Sequence, residues 1–220
     1  MADSRGLVKS AASSAFQDLI ANRFGHQVVD QSIQHMIDAG MGYMAGIGLL
    51  SAGEALPAAA ITTLRPQLWI RVPSGTTIKP FFVGINVEDS GATAAFEAAL
   101  GFLRSDTGNG TSSAADFGPI NLRSDITDTG RCTARQEATG DVSADPVVDV
   151  WRVWMSEDNA ATPATVGNQN FEWKGINGLF YPTLVGPATW ALYIGSSAAP
   201  IVTAQMAWVE GDSDLFKARI

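Results

Sequence analysis

The chain has 220 residues, a formal net charge of −8 and one cysteine, Cys132, which excludes an intrachain disulfide and a cysteine-built zinc site and, with no run of Lys or Arg, argues against direct nucleic-acid contact. No stretch approaches the roughly 18 uninterrupted apolar residues of a membrane span, and Met1-Ala2-Asp3-Ser4-Arg5 lacks the basic and apolar regions of a signal peptide, so a soluble product made in the cytoplasm, without membrane partners, is expected. Charged residues are 16% and hydrophobic ones 46%, against roughly 25% charged in soluble domains, and a surface so poor in charge points to an oligomer or larger assembly.

Residues 1–40 read as an N-terminal arm or cover and residues 41–220 as one β-sandwich domain. Phe16, Leu19, Ile20 and Phe24 have the spacing of one face of a short helix after Ser13-Ser14, and Val29, Ile33, Met36 and Ile37 repeat it before Ala39-Gly40. These two amphipathic pieces either lie on the sandwich as a cover or leave it as a partly helical arm whose apolar stripe docks on a neighbour. In the arm reading Phe16, Leu19, Ile20, Phe24, Val29 and Ile33 are the partner-binding residues.

At Met41 the period changes from helical to alternating. Tyr43, Ala45, Ile47 and Leu49 share one face of a first strand. Leu68, Ile70 and Val72, the turn Pro73-Ser74-Gly75, and then Phe81, Val83, Ile85 and Val87 imply a hairpin. Ala95, Phe96, Ala99, Leu100 and Leu103 are spaced for a short helix at one end of the sheets. Residues 105–146 are polar and loop-rich, with two weak edge-strand candidates, Ile120 to Leu122 and Cys132 to Gln136.

Val147 to Met155 is apolar on both sides, with Trp151 and Val153 opposite Val148, Val150 and Trp154, a pattern that suggests burial of both faces, one of them against another subunit. Phe171 and Trp173 alternate with charged residues, and Leu179 to Val185 forms a further strand. The last apolar block, Pro187 to Glu210, places Trp190, Leu192 and Ile194 and then Val202, Ala204, Met206 and Trp208 on strand faces, a second hairpin. The fold expected is mainly β, an antiparallel, jelly-roll-like sandwich of about eight strands, with its first and last strands as neighbours.

The chemistry-bearing patterns have simpler readings. Asp106-Thr107-Gly108 and Asp128-Thr129-Gly130 repeat the triplet of aspartic proteases, but both lie in polar surroundings rather than after a buried apolar strand, and Asp and Gly are ordinary turn formers. His26 and His35 have no metal-ligand spacing, and Cys132 has no evident base in the sequence. No catalytic residue, metal or cofactor is implied. Six tryptophans read as core and subunit interface, although exposed ones on a sandwich would stack on sugar rings.

The stretches Arg65-Pro66-Gln67-Leu68-Trp69-Ile70-Arg71-Val72-Pro73-Ser74-Gly75-Thr76-Thr77-Ile78 and Pro187-Ala188-Thr189-Trp190-Ala191-Leu192-Tyr193-Ile194 resemble small virion proteins of tailed bacteriophages. The likeness is one of style over residues 40–210: β-rich, low in charge, full of Ala, Gly and Thr. It implies a capsid decoration or cement protein, found in the virion as a homo-oligomer, with a trimer expected, and bound to the major capsid protein or other virion proteins. The alternative it leaves open is a carbohydrate-binding or receptor-binding sandwich of a spike or fibre.

Overall fold

The computed structural model describes residues 6–9, 16–19, 32–49, 51–62, 64–89, 95–104, 118–136, 148–156, 169–175 and 182–213. Along them run β1 (Gly6–Lys9), β2 (Phe16–Leu19), α1 (Ser32–Asp38), β3 (Gly42–Ile47), β4 (Glu54–Ala55), β5 (Leu68–Val72), β6 (Thr76–Asp89) and β7 (Ala95–Leu103). There follow β8 (Ile120–Asn121), β9 (Thr133–Gln136), β10 (Val148–Ser156), β11 (Gln169–Lys174), β12 (Leu184–Val185), β13 (Ala188–Ser196) and β14 (Ile201–Asp212).

Two antiparallel sheets form the sandwich. One has the order β10-β7-β13-β5-β9; the other has the order β11-β6-β14-β3-β8, with β12 also beside β6 and β4 also beside β14. Eight of these strands are five residues or longer: β3, β5, β6, β7, β10, β11, β13 and β14. Numbered one to eight in chain order, they lie 6-3-8-1 in one sheet and 5-4-7-2 in the other. That is the double-sheet order of a jelly roll, and the first and last of the eight, β3 and β14, are neighbours, as expected.

The two apolar blocks find each other strand for strand. Ala188 to Leu192 of β13 pairs with Val72 to Leu68 of β5, while β14 pairs with β6 from Ile201↔Asp89 to Asp212↔Thr76. They are not two hairpins, however. Within each block the two strands belong to opposite sheets, so the turn at Pro73-Ser74-Gly75 arches across the core instead of folding a strand back beside itself. Thr76 N–H donates to the Pro73 carbonyl at 3.2 Å with Gly75 at φ +80°, the backbone a type II turn requires at its third residue.

Two further corrections follow from the same geometry. Ala95–Leu103 is strand, not helix: it lies between β10 and β13, with Phe96, Ala98 and Leu100 in the main core and Ala99 and Leu103 in a second cluster on the opposite face. A strand buried on both faces is nearly continuously apolar, and its Ala-rich helical spacing is overridden by sheet pairing. Phe16–Leu19 is likewise a strand, paired only with β1 among the described strands, not the first turn of a helix.

The main core is filled by facing side chains of the two sheets. Trp190 and Trp208 meet edge-on with ring centroids 6.4 Å apart, Trp173 packs on Trp190, and Leu68, Ile70, Val83, Ile85, Leu100, Leu192 and Met206 surround them. A second, smaller core of Trp69, Ala99, Leu103, Ala191 and Tyr193 lies outside the five-stranded sheet beneath Ile61. The segment before β5 covers it: Ile61 N–H donates to Glu97 Oε1 at 3.2 Å, and Ala59 bridges to Ser196.

Candidate interaction surface

Helix α1 ends in a Schellman motif. Gly40 N–H donates to the Ile37 carbonyl and Met41 N–H to the Met36 carbonyl, with Gly40 at φ +80° supplying the left-handed residue this cap uses. The cap turns the chain directly into β3 and lays α1 on β3 and β14. Ile33 is therefore only 8% exposed, and Ile37 packs beside Gly42 and Leu122. At these positions the N-terminal segment covers its own sandwich; Ile33 is not part of an exposed stripe. Phe16 and Leu19 sit at strand positions of β2. Ile20, Phe24 and Val29 lie outside the described residues, so of the six expected docking residues the structure places three and does not bring them onto one helical face.

Exposed large apolar side chains are found elsewhere. Among the residues whose exposure is described, Leu49, Ile120, Trp154 and Val185 stand out from the surface. Strand β10 is an edge of its sheet. Its inner residues Trp151 and Val153 pack against the main core, and a bulge between Asp149 and Trp151 brings Val150 into the same packing. Trp154 faces outward beside Glu97 and is 66% exposed. In the single chain one face of β10 packs on the core, and the other presents a tryptophan next to an edge that no other described strand pairs. The remaining tryptophans Trp69, Trp173, Trp190 and Trp208 are buried, the reading expected for them.

Asp128 and Cys132 come together with Tyr43 and Glu210 in a network of structural bonds. The buried Glu210 carboxylate accepts hydrogen bonds from Arg131 N–H, from Cys132 N–H at 3.4 Å and from the Trp208 indole N–H at 3.0 Å. Arg131 extends to Asp212 on the surface. Tyr43 donates its hydroxyl to Asp128 Oδ2 at 3.1 Å, while Asp128 Oδ1 accepts from Gly130 N–H at 3.2 Å, the local turn bond that Asp favours. Burial, then the Asp128 hydrogen bond and charge, push the Tyr43 hydroxyl up to about 12. Burial, with Glu210 beside it, also pushes the Cys132 thiol well up, which disfavours the thiolate a nucleophile needs.

Together these bonds clamp the loop between β8 and β9 to the end of β14. Sequence reasoning found the turn at Asp128 but missed Glu210 as its anchor; the signal was a lone acid two residues after a tryptophan in an apolar strand. Asp106 lies outside the described residues. Among the described residues no three His, Cys, Asp or Glu side chains gather as metal ligands would, and no helix is long and apolar enough to cross a membrane. Comparison with protein-family models, with curated proteins and with solved structures finds no match to this chain.

Proposed function

We propose that this chain is a structural protein of a bacteriophage virion, of the capsid decoration or cement kind, which binds the head shell as a homotrimer and reinforces it. The observation that carries this reading is the jelly-roll strand order, an architecture used by viral capsid and lectin domains and by cupins. Its inter-sheet space is filled by tryptophans and aliphatic side chains, so the fold invests its interior in rigidity. The chain's low charge and the edge of β10, unpaired among the described strands, with Trp154 beside it supply contact surface. A large aromatic at the centre of a desolvated patch contributes more to association than its neighbours do.

Mass spectrometry of purified particles from the phage that encodes the chain tests the assignment, and cryo-electron microscopy of those particles should show the sandwich on the head in threefold clusters. Absence of the chain from the particles overturns the reading. In solution, replacing Trp154 with Lys should convert the oligomer to monomer in sedimentation, because a solvated charge would occupy the contact. An unchanged oligomer would place the interface elsewhere.

A further inference from the structure

Sheet register places a row of neutral hydrogen-bonding side chains on the outer face of the β11-β6-β14-β3 sheet. Asn170 is opposite Asn86, Asn86 opposite Thr203 and Gly84 opposite Gln205, and Gln205 opposite Gly46. Since residues of one parity share a face, these side chains all stand on the same side, away from the core. Between them Gly46, Gly48 and Gly84 raise no side chain, and the result is a trough. Its main part has a volume of about 500 Å³ and is lined by Asn86, Glu88, Thr203, Gln205, Leu49 and Ile120 among others. A second part of about 150 Å³ continues it over Asn170 and Glu172, sharing Asn86, Thr203 and Gln205. Four strands at about 4.8 Å spacing make the trough roughly 14 Å across the strands, the reach of an extended chain rather than a single small molecule.

Its chemistry selects the occupant. Among the described residues no Arg or Lys lines either part, whereas Glu88 and Glu172 do, and Glu172 already holds Lys174 at 2.6 Å, so a phosphate or sulfate would meet carboxylates rather than a free cation. A wholly apolar ligand would cover amides and leave them unpaired, which costs free energy. Amide side chains offer both donors and acceptors, matching hydroxyl groups that are also both. The exposed Leu49 and Ile120 at one end provide apolar surface for the C–H face of a pyranose ring.

We infer that this trough binds a neutral polysaccharide through Asn86, Asn170, Thr203 and Gln205, giving the protein a glycan-binding activity separate from its place in an assembly. Affinity electrophoresis of the full chain through gels containing dextran, galactomannan, xyloglucan or heparin tests it. At least one of the three neutral polymers should retard the protein while heparin does not. The Asn86→Ala/Gln205→Ala double variant should lose at least tenfold in affinity for that polymer, Asn170→Ala, on the edge strand, should lose two- to tenfold, and Gln34→Ala, exposed on α1 and outside the trough, should bind as the parent does. No retardation by any neutral polymer, retardation by heparin alone, retention of full affinity by both trough variants, or loss only with Gln34→Ala would each overturn the inference.

Discussion

Glu210 offers the sharpest test of how this sandwich holds the loop between β8 and β9. Its carboxylate is buried and accepts three hydrogen bonds, two from the backbone of Arg131 and Cys132 and one from Trp208. Glu210→Ala strands all three donors. At about 1–1.5 kcal/mol for each buried donor left unsatisfied, the gross cost is about 3–5 kcal/mol, and relief of the carboxylate's own desolvation offsets part of it, leaving about 2–4 kcal/mol. For a chain of this size about 1 kcal/mol moves the thermal midpoint by about 2–4 °C, so a fall of roughly 5–15 °C is expected. Glu210→Gln keeps one acceptor oxygen but turns an NH2 toward a donor, and should cost about 1–3 kcal/mol. Urea or thermal unfolding followed by tryptophan fluorescence measures both. If Glu210→Gln matched the parent, or Glu210→Ala cost less than Glu210→Gln, the clamp would not be the source of stability argued for it.

Three other outcomes are expected. The raised Tyr43 hydroxyl means that the folded state holds its proton above pH 10, where the unfolded chain releases it. Its contribution to stability is therefore complete below about pH 10 and lost as pH rises toward about 12; alkaline unfolding should begin in this window and be shallower in Tyr43→Phe, with the buried Tyr193, also shifted upward by burial, carrying the remainder. Asp128→Asn keeps an acceptor for the Gly130 turn bond and a polar partner for Tyr43, so it should cost under about 1 kcal/mol in urea titration. Deleting residues 1–31 should leave the unfolding midpoint near that of the full chain, whereas deleting residues 1–38 also removes buried Ile33 and the Arg123 bond to the Asp38 carbonyl and should lower stability by about 2–4 kcal/mol; equal midpoints would mean that α1 is not a cover.

Alternation along the chain determined which residues face inward. Tyr43, Ala45 and Ile47, then Leu68, Ile70 and Val72, and then Val202, Ala204, Met206 and Trp208 are all core, because a strand's period of two is a local property of the backbone. Even the edge positions of β8 and β9 were legible, from polar, Gly-rich flanks. Whether a turn folds a strand beside its predecessor or carries it across to the facing sheet leaves the same alternation on both strands, so the two arches were decided only by tertiary packing. The same holds for Ala95–Leu103, where burial on both faces erased the period that would have marked a strand. The trough is a tertiary product too: Asn86, Asn170, Thr203 and Gln205 are unremarkable polar residues on three strands until register sets them side by side over glycines, and no spacing along one strand encodes that juxtaposition.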